Sequence, residues 1–364
     1  MRPDARGPAG RHLLPLLGDI RHVLRMSLAD WDETLRLARQ ARLLGVIAHR
    51  IEREPELLAA VPPAVHGHLT SSINFAAHRL QMVRIELADL EAALPAEIDV
   101  VLLKGAAYIA QELEFSRGRM PNDVDLLVAR RDLDKAESAL AAAGWEAETT
   151  DAYDQRYYRE WSHELPPMRA SGHALEVDLH HTIAPVTSRT RADDELLEQG
   201  RTALPGSRYC VLAPADQVIH AVIHLFQDSE MSGRLRDLVD IDGLIRLHMR
   251  SDDDWRQLRT RAERHRASGL LWFALHYCHQ WLGTPWPAVA GRSEPPRPAA
   301  RYLMDLLMRH ACLPRLADGG EPRIRALARG LGQLRYHWLR MPPALLARHL
   351  CHKGLARLSL RSSG

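Results

Sequence analysis

The sequence predicts an α+β protein: a small mixed-sheet core flanked by a helical N-terminal segment and a larger all-helical C-terminal region. Three observations carry that expectation. Apolar residues recur at helical spacing up to Leu94. Short, nearly all-apolar runs bounded by glycine and proline follow between Ile98 and His181, and helical spacing returns after Pro185. The expected division is residues 1–95, 96–185 and 186–364.

In the first segment, Leu13, Leu16, Leu17, Ile20 and Leu24 keep a helical period, as do Trp31, Leu35, Ala38 and Ala41. Pro62-Pro63 opens a long helix through Leu94, and Pro95 ends it. Ile98–Leu103 then reads as a strand covered on both faces. A helix over Gly105–Leu113, a strand over Asp123–Val128 and a helix over Leu133–Ala143, closed by Gly144, are expected next. The tyrosine-rich stretch Tyr153–Trp161 is expected as a strand and Ala174–His181 as the last one. Beyond Pro185 the chain is expected to stay helical: from Pro214, from Arg234 to His248, from near Trp255, from Leu270 to Leu282, from Ala299 to Cys312 and from Pro322 to Leu339. Arg292–Pro298 reads as a linker.

With 364 residues, 46% of them hydrophobic and 26% charged, the chain has the composition of a soluble globular protein of about two domains. Lys+Arg of 48 against Asp+Glu of 46 leaves a net charge of +2, so no global field recruits nucleic acid. Arg and His concentrate between Arg323 and Arg361, where a helix with a solvated basic face is expected. Cys210, Cys278, Cys312 and Cys351 show neither disulfide nor zinc spacing, which fits a reducing cytoplasm. The run Leu13–Leu17, flanked by Arg2, Arg6 and Arg11, is too short for a signal peptide. No stretch reaches the about 20 apolar residues of a membrane span. No membrane partner is expected.

The chemistry concentrates between Val100 and Val128. Residues two apart on a strand project to one side, so Asp123 and Asp125 stand together, roughly 7 Å apart at the backbone. Paired carboxylates need a cation or a raised pKa, and Mg²⁺ (or Mn²⁺) suits few carboxylates plus phosphate oxygens. The Lys104-Gly105 turn, where a strand gives way to a helix, presents free N–H groups and a positive charge to an anion such as a triphosphate. Asp178, on a later strand, supplies a third carboxylate that bridges to the metal and accepts a hydroxyl proton; Glu176 competes for that role. His220 and His224 have a zinc-capable i, i+4 spacing but lack a third ligand in the sequence. His180 shares a strand face with Asp178.

The combination Leu102-Leu103-Lys104-Gly105-Ala106-Ala107, Arg119-Met120 with Asp123-Val124-Asp125-Leu126-Leu127-Val128, and Glu176-Val177-Asp178-Leu179-His180-His181 resembles the uncharacterised nucleotidyltransferase family of the DNA polymerase β superfamily. The resemblance implies transfer of a nucleoside monophosphate from an NTP to an acceptor hydroxyl, with release of pyrophosphate. It implies Gly105 as the motif glycine, Lys104 as the lysine before it, Asp123 and Asp125 as the metal pair and Asp178 as the third acid. Arg119 and Arg117 would meet the phosphates. Ala106 stands where the superfamily usually has Gly or Ser, so one phosphate-contacting hydroxyl is missing. His224 and the run Arg234–Asp240 also resemble the family, with Arg236, Asp237 and Asp240 expected at the cleft or in a surface salt-bridge ladder.

Two other readings fit part of the pattern. In a nucleotide-sugar glycosyltransferase an Asp-x-Asp pair also holds a metal on a diphosphate, but here helices, not a long parallel sheet, precede the pair. The other is a non-catalytic nucleotide-binding or regulatory module on the same fold. The acceptor (small molecule, peptide, protein or RNA) is not legible in the sequence.

Overall fold

The structure is a computed structural model, described for residues 7–147, 152–228, 230–291, 295–316 and 322–340. Helices α1 (Gly7–Arg11), α2 (Leu13–Gly18), α3 (Leu28–Gln40), α4 (Leu44–Glu52) and α5 (Pro55–Ala60) lead into α6 (Pro63–Ala93), 31 residues long. Ser27 starts α3 with a reciprocal cap, in which its hydroxyl accepts from the Asp30 N–H while the Asp30 carboxylate accepts from the Ser27 N–H. Proline at the first turn of α6 costs no hydrogen bond, because that N–H has no partner within the helix.

The sheet follows: β1 (Val100–Leu102), α7 (Lys104–Ala110), β2 (Asp123–Leu127), α8 (Leu133–Ala142), β3 (Trp145–Ala147), α9 (Ala152–Glu160), β4 (Met168–Ala170) and β5 (Glu176–His180). After α10 (Asp194–Gly200) come β6 (Thr202–Ala203) and β7 (Tyr209–Val211). The strand order is β3-β4-β5-β2-β1-β7-β6. β2 runs antiparallel to β1 and parallel to β5, and β1 runs parallel to β7. Helices α11 (Pro214–Gln227), α12 (Leu235–His248), α13 (Asp252–Arg264), α14 (Ser268–Leu282), α15 (Pro298–Leu307) and α16 (Arg323–Arg340) complete the described chain.

One hydrophobic cluster runs from Ala9 to Ala328 and takes in all three expected segments. Val124 and Leu126 alternate with the acids on β2 and are fully buried, the pattern of a strand with one face in the core. On α6, Trp145 Nε1 donates to Glu86 Oε1 at 3.0 Å and the Tyr209 hydroxyl donates to the Leu87 carbonyl at 2.7 Å. These bonds tie both ends of the sheet to the same long helix.

Three expectations are corrected here. The stretch Tyr153–Trp161 is not a strand but carries α9. Its aromatic residues favour strands, yet Arg156 and Glu160 pair at i, i+4 with 2.9 Å, and Tyr157 meets Trp161 edge-on at 6.0 Å. The strand in Ala174–His181 is not the last. β6 and β7 lie in the region expected to be helical, and β3 and β4 were also missed, because strands of two or three residues carry no measurable period. Finally, α16 does not simply present a basic face to solvent. Arg335 donates to the Phe226 carbonyl at 2.6 Å, and Arg340 to Ser162 Oγ at 2.8 Å, while Leu327, Leu334 and Trp338 are exposed. Arg2, Arg6, Cys351, the basic stretch beyond Arg340 and most of the polar core of the Arg292–Pro298 linker lie outside the described residues. Cys210, Cys278 and Cys312 are free thiols.

Candidate active site

The sheet register brings the acids together. Asp125 on β2 stands beside Asp178 on β5, and Asp123 beside Glu176, in a parallel pairing that aligns side chains of like phase. Carboxylate oxygens of Asp123, Asp125 and Asp178 all lie within 4.8 Å of one another. Glu176, the competing third acid, instead pairs with Arg169. Among the described residues the geometric triad is therefore the two aspartates of β2 with Asp178.

Lys104 reaches this triad from the head of α7. Its ammonium donates to Asp125 Oδ1 at 2.5 Å, and its backbone φ is +43°. A side chain in that left-handed region costs of order 1–3 kcal/mol, and such strain concentrates at functional sites. His180, fully buried, donates from Nε2 to the same Asp125 oxygen at 3.0 Å. His224 on α11 lies 2.9 Å from Lys104 through Nε2 and 2.7 Å from Arg234 through Nδ1. A neutral imidazole has one lone pair, so it accepts from only one of the two cations; acids hold the other. Arg234 is paired with Asp228 at 2.9 Å and with Asp237 at 2.7 Å.

The electrostatics follow from burial and neighbours. Burial alone would raise the Asp125 carboxyl, but the Lys104 ammonium and the His180 hydrogen bond hold it below the usual carboxylate range. Lys104 is held above the ordinary lysine value, against burial, by Asp125, Asp123 and Glu164. Asp178 goes the other way: burial, then the charges of Asp125 and Glu164, push it up to about 7. His180 is raised against burial by Asp125 and Glu164. His220 and His224 are held well below the ordinary value, first by burial and then by Lys104.

Other expected site residues are placed elsewhere. Arg119 is buried and grips Asp240 on α12, with Nε 3.0 Å and Nη2 2.9 Å from Oδ2. A Cβ on Gly105 would sit 2.0 Å from Arg119 Nη1, so the room that glycine leaves is filled by this guanidinium. Ala106 is fully buried in the core. Arg117 is exposed, pairs with Glu114 at 3.4 Å and lines a different cavity, of about 330 Å³, with His49, Glu52 and Arg84. Arg236, Asp237 and Asp240 do not form a surface ladder: Asp237 and Asp240 are buried on α12. His220 and His224 belong to no metal-ligand cluster among the described residues.

The sequence profile of the uncharacterised nucleotidyltransferases matches residues 27–283. The chain belongs to that family. The match spans the acid-bearing strands and the helices through α14. A crystal structure of an antigenic nucleotidyltransferase-like protein from Paracoccidioides brasiliensis is similar at 14% identity. It covers 60% of this chain and 99% of its own, with a TM-score of 0.34. No curated protein sequence matches. Among the described residues no helix is long and apolar enough to cross a membrane.

Sequence reasoning missed His180 as a partner of Asp125 and Glu164 as its neighbour. The signal for His180 was its strand phase. Asp125 aligns with Asp178, and His180 is two residues further on, on the same face. Glu164 carried no signal, because an isolated backbone bridge to His180 places it.

Proposed function

We propose that this nucleotidyltransferase moves a nucleoside monophosphate from an NTP to an acceptor hydroxyl and releases pyrophosphate. The carrying observation is the cluster of three carboxylates, two neighbouring on one strand and the third on the next. The residues fit a divalent metal. Three hard oxygen donors converge, and the raised Asp178 marks negative charge that a cation would relieve. Asp123, Asp125 and Asp178 would hold Mg²⁺ or Mn²⁺, which when bound neutralises charge developing on the transferred phosphoryl group.

The chain's own residues carry the rest. Asp178, ionised once a cation relieves the charge around it, would accept the proton of the acceptor hydroxyl. Lys104 is a buried cation beside the acids, suited to the phosphate oxygens once Asp125 is otherwise occupied. His180 orients Asp125 from behind. Arg119 acts as a positioning residue, locking α12 to the Lys104-Gly105 turn.

Calorimetry with ATP and GTP, with and without Mg²⁺, tests this on the wild type and on the Asp123→Asn/Asp125→Asn double variant. Metal-dependent binding that the double variant loses is the expected result. Binding indifferent to both metal and mutation would refute the transferase reading and favour the non-catalytic module.

A further inference from the structure

Beside the aspartates lies a second cluster of a different kind. His163 and Glu164 follow α9, and backbone bonds fasten them to β5. Leu165 N donates to the Leu179 carbonyl at 2.9 Å, His181 N donates to the His163 carbonyl at 2.9 Å, and Glu164 bridges to His180 antiparallel. A short ladder therefore holds the three side chains, not a free loop. One ligand atom from each of His163, Glu164 and His180 lies within 4.8 Å of the others. Glu164 Oε2 is 3.4 Å from His163 Nε2 and 3.5 Å from His180 Nε2, and the two rings stand 5.3 Å apart.

The nitrogen that faces Glu164 is Nε2 on both rings. On His180 that same Nε2 donates to Asp125, so a cation bound there would take the place of its proton. The buried Nδ1 atoms, which have no partner, are not the nitrogens that face Glu164. His163 and Glu164 also line a cavity of about 290 Å³ with Tyr158, His220 and His224, while His180 lies behind them. An ion held by the three would keep an exchangeable position on the cavity side.

We propose that His163, Glu164 and His180 form a second metal site that takes a transition-metal ion of the Zn²⁺ type, distinct from the site of the aspartates. The donor sets divide the ions. Three carboxylates suit Mg²⁺, whereas two imidazoles and one carboxylate suit Zn²⁺, Co²⁺ or Ni²⁺. Asp125 touches both sites: it is a candidate ligand in one, and in the other it accepts from the His180 Nε2 that the ion would take. Water, or a donor atom of a molecule in the cavity, completes the fourth position.

The probe is Co²⁺ added to the full, chelator-stripped protein in excess Mg²⁺, read by visible ligand-field absorption. The expected result is a band that saturates at one equivalent and is displaced by Zn²⁺. His163→Ala and Glu164→Gln should each weaken Co²⁺ binding by at least the roughly 10–100-fold that loss of an outer partner costs a metal site. Asp123→Asn should leave the band intact. Absence of a band in the wild type would overturn the proposal whether or not the variants fold. So would a band that survives both His163→Ala and Glu164→Gln, or one lost in Asp123→Asn alone. The readout needs neither nucleotide nor turnover, so its failure is separate from a failure of the transferase reading.

Discussion

Asp178→Asn is the substitution whose consequence can be worked furthest from the structure. Burial, then the charges of Asp125 and Glu164, push the Asp178 carboxyl from 3.8 up to about 7. The unfolded chain releases that proton near the ordinary value, while the native, metal-free protein keeps it until about neutrality. Between those limits this carboxyl binds more protons in the native state, so its contribution to stability falls as pH rises and is lowest above about pH 7. A displacement of this size corresponds to about 4 kcal/mol at most. The assay is urea unfolding in EDTA from about pH 4.5 to about pH 8, a window chosen to lie above the range in which Asp125 titrates. Asn carries no charge, so the variant should gain stability relative to the wild type as pH rises across it. Mg²⁺ at the upper end should stabilise the wild type more than the variant. Parallel pH profiles for the two proteins would refute the claim that Asp178 is held protonated by its neighbours.

Other substitutions test the remaining contacts. Gly105→Ala places a Cβ 2.0 Å from Arg119 Nη1; if the Arg119–Asp240 pair breaks, the cost is about 3–5 kcal/mol by denaturant unfolding, and a neutral result would contradict the packing. Lys104→Met removes the ammonium at 2.5 Å from Asp125 and should cost a similar 3–5 kcal/mol, roughly, in the absence of metal. Mg²⁺ should recover part of that loss, and a melting temperature unmoved by Mg²⁺ would remove Asp125 from the ligand set. Trp145→Phe deletes the donor to the buried Glu86 and should lower stability by about 1–3 kcal/mol, readable by urea titration.

Much of the fold was legible where segments were long enough to show a period. The bounds expected for the Pro62-Pro63 helix, the Asp123 strand and the Pro214 helix agree closely with α6, β2 and α11. Legibility failed for short strands and for α9, whose tyrosines mimic a strand while its i, i+4 contacts favour a helix. At the site, the pairing of Asp123 with Asp125 was visible because a strand's period is two. The choice between Glu176 and Asp178 was not, because both have the same phase and only neighbouring side chains separate them. Arg169 takes Glu176, and the register sets Asp178 beside Asp125.

By itself the sequence determined the residue types and the local geometry: two acids in phase on an apolar strand, a lysine and glycine at the preceding turn, a third acid on a later strand. Those follow from backbone periods that act over a few residues. Only the tertiary structure decided which long-range partner each charge takes. Arg119 lies against Gly105 and binds Asp240, 121 residues away. Lys104 meets His224 across 120 residues, and Glu164 reaches His180 through one backbone bridge. The physical reason is that a buried charge takes whichever partner the packing brings within hydrogen-bonding distance, and packing joins residues that no local pattern connects.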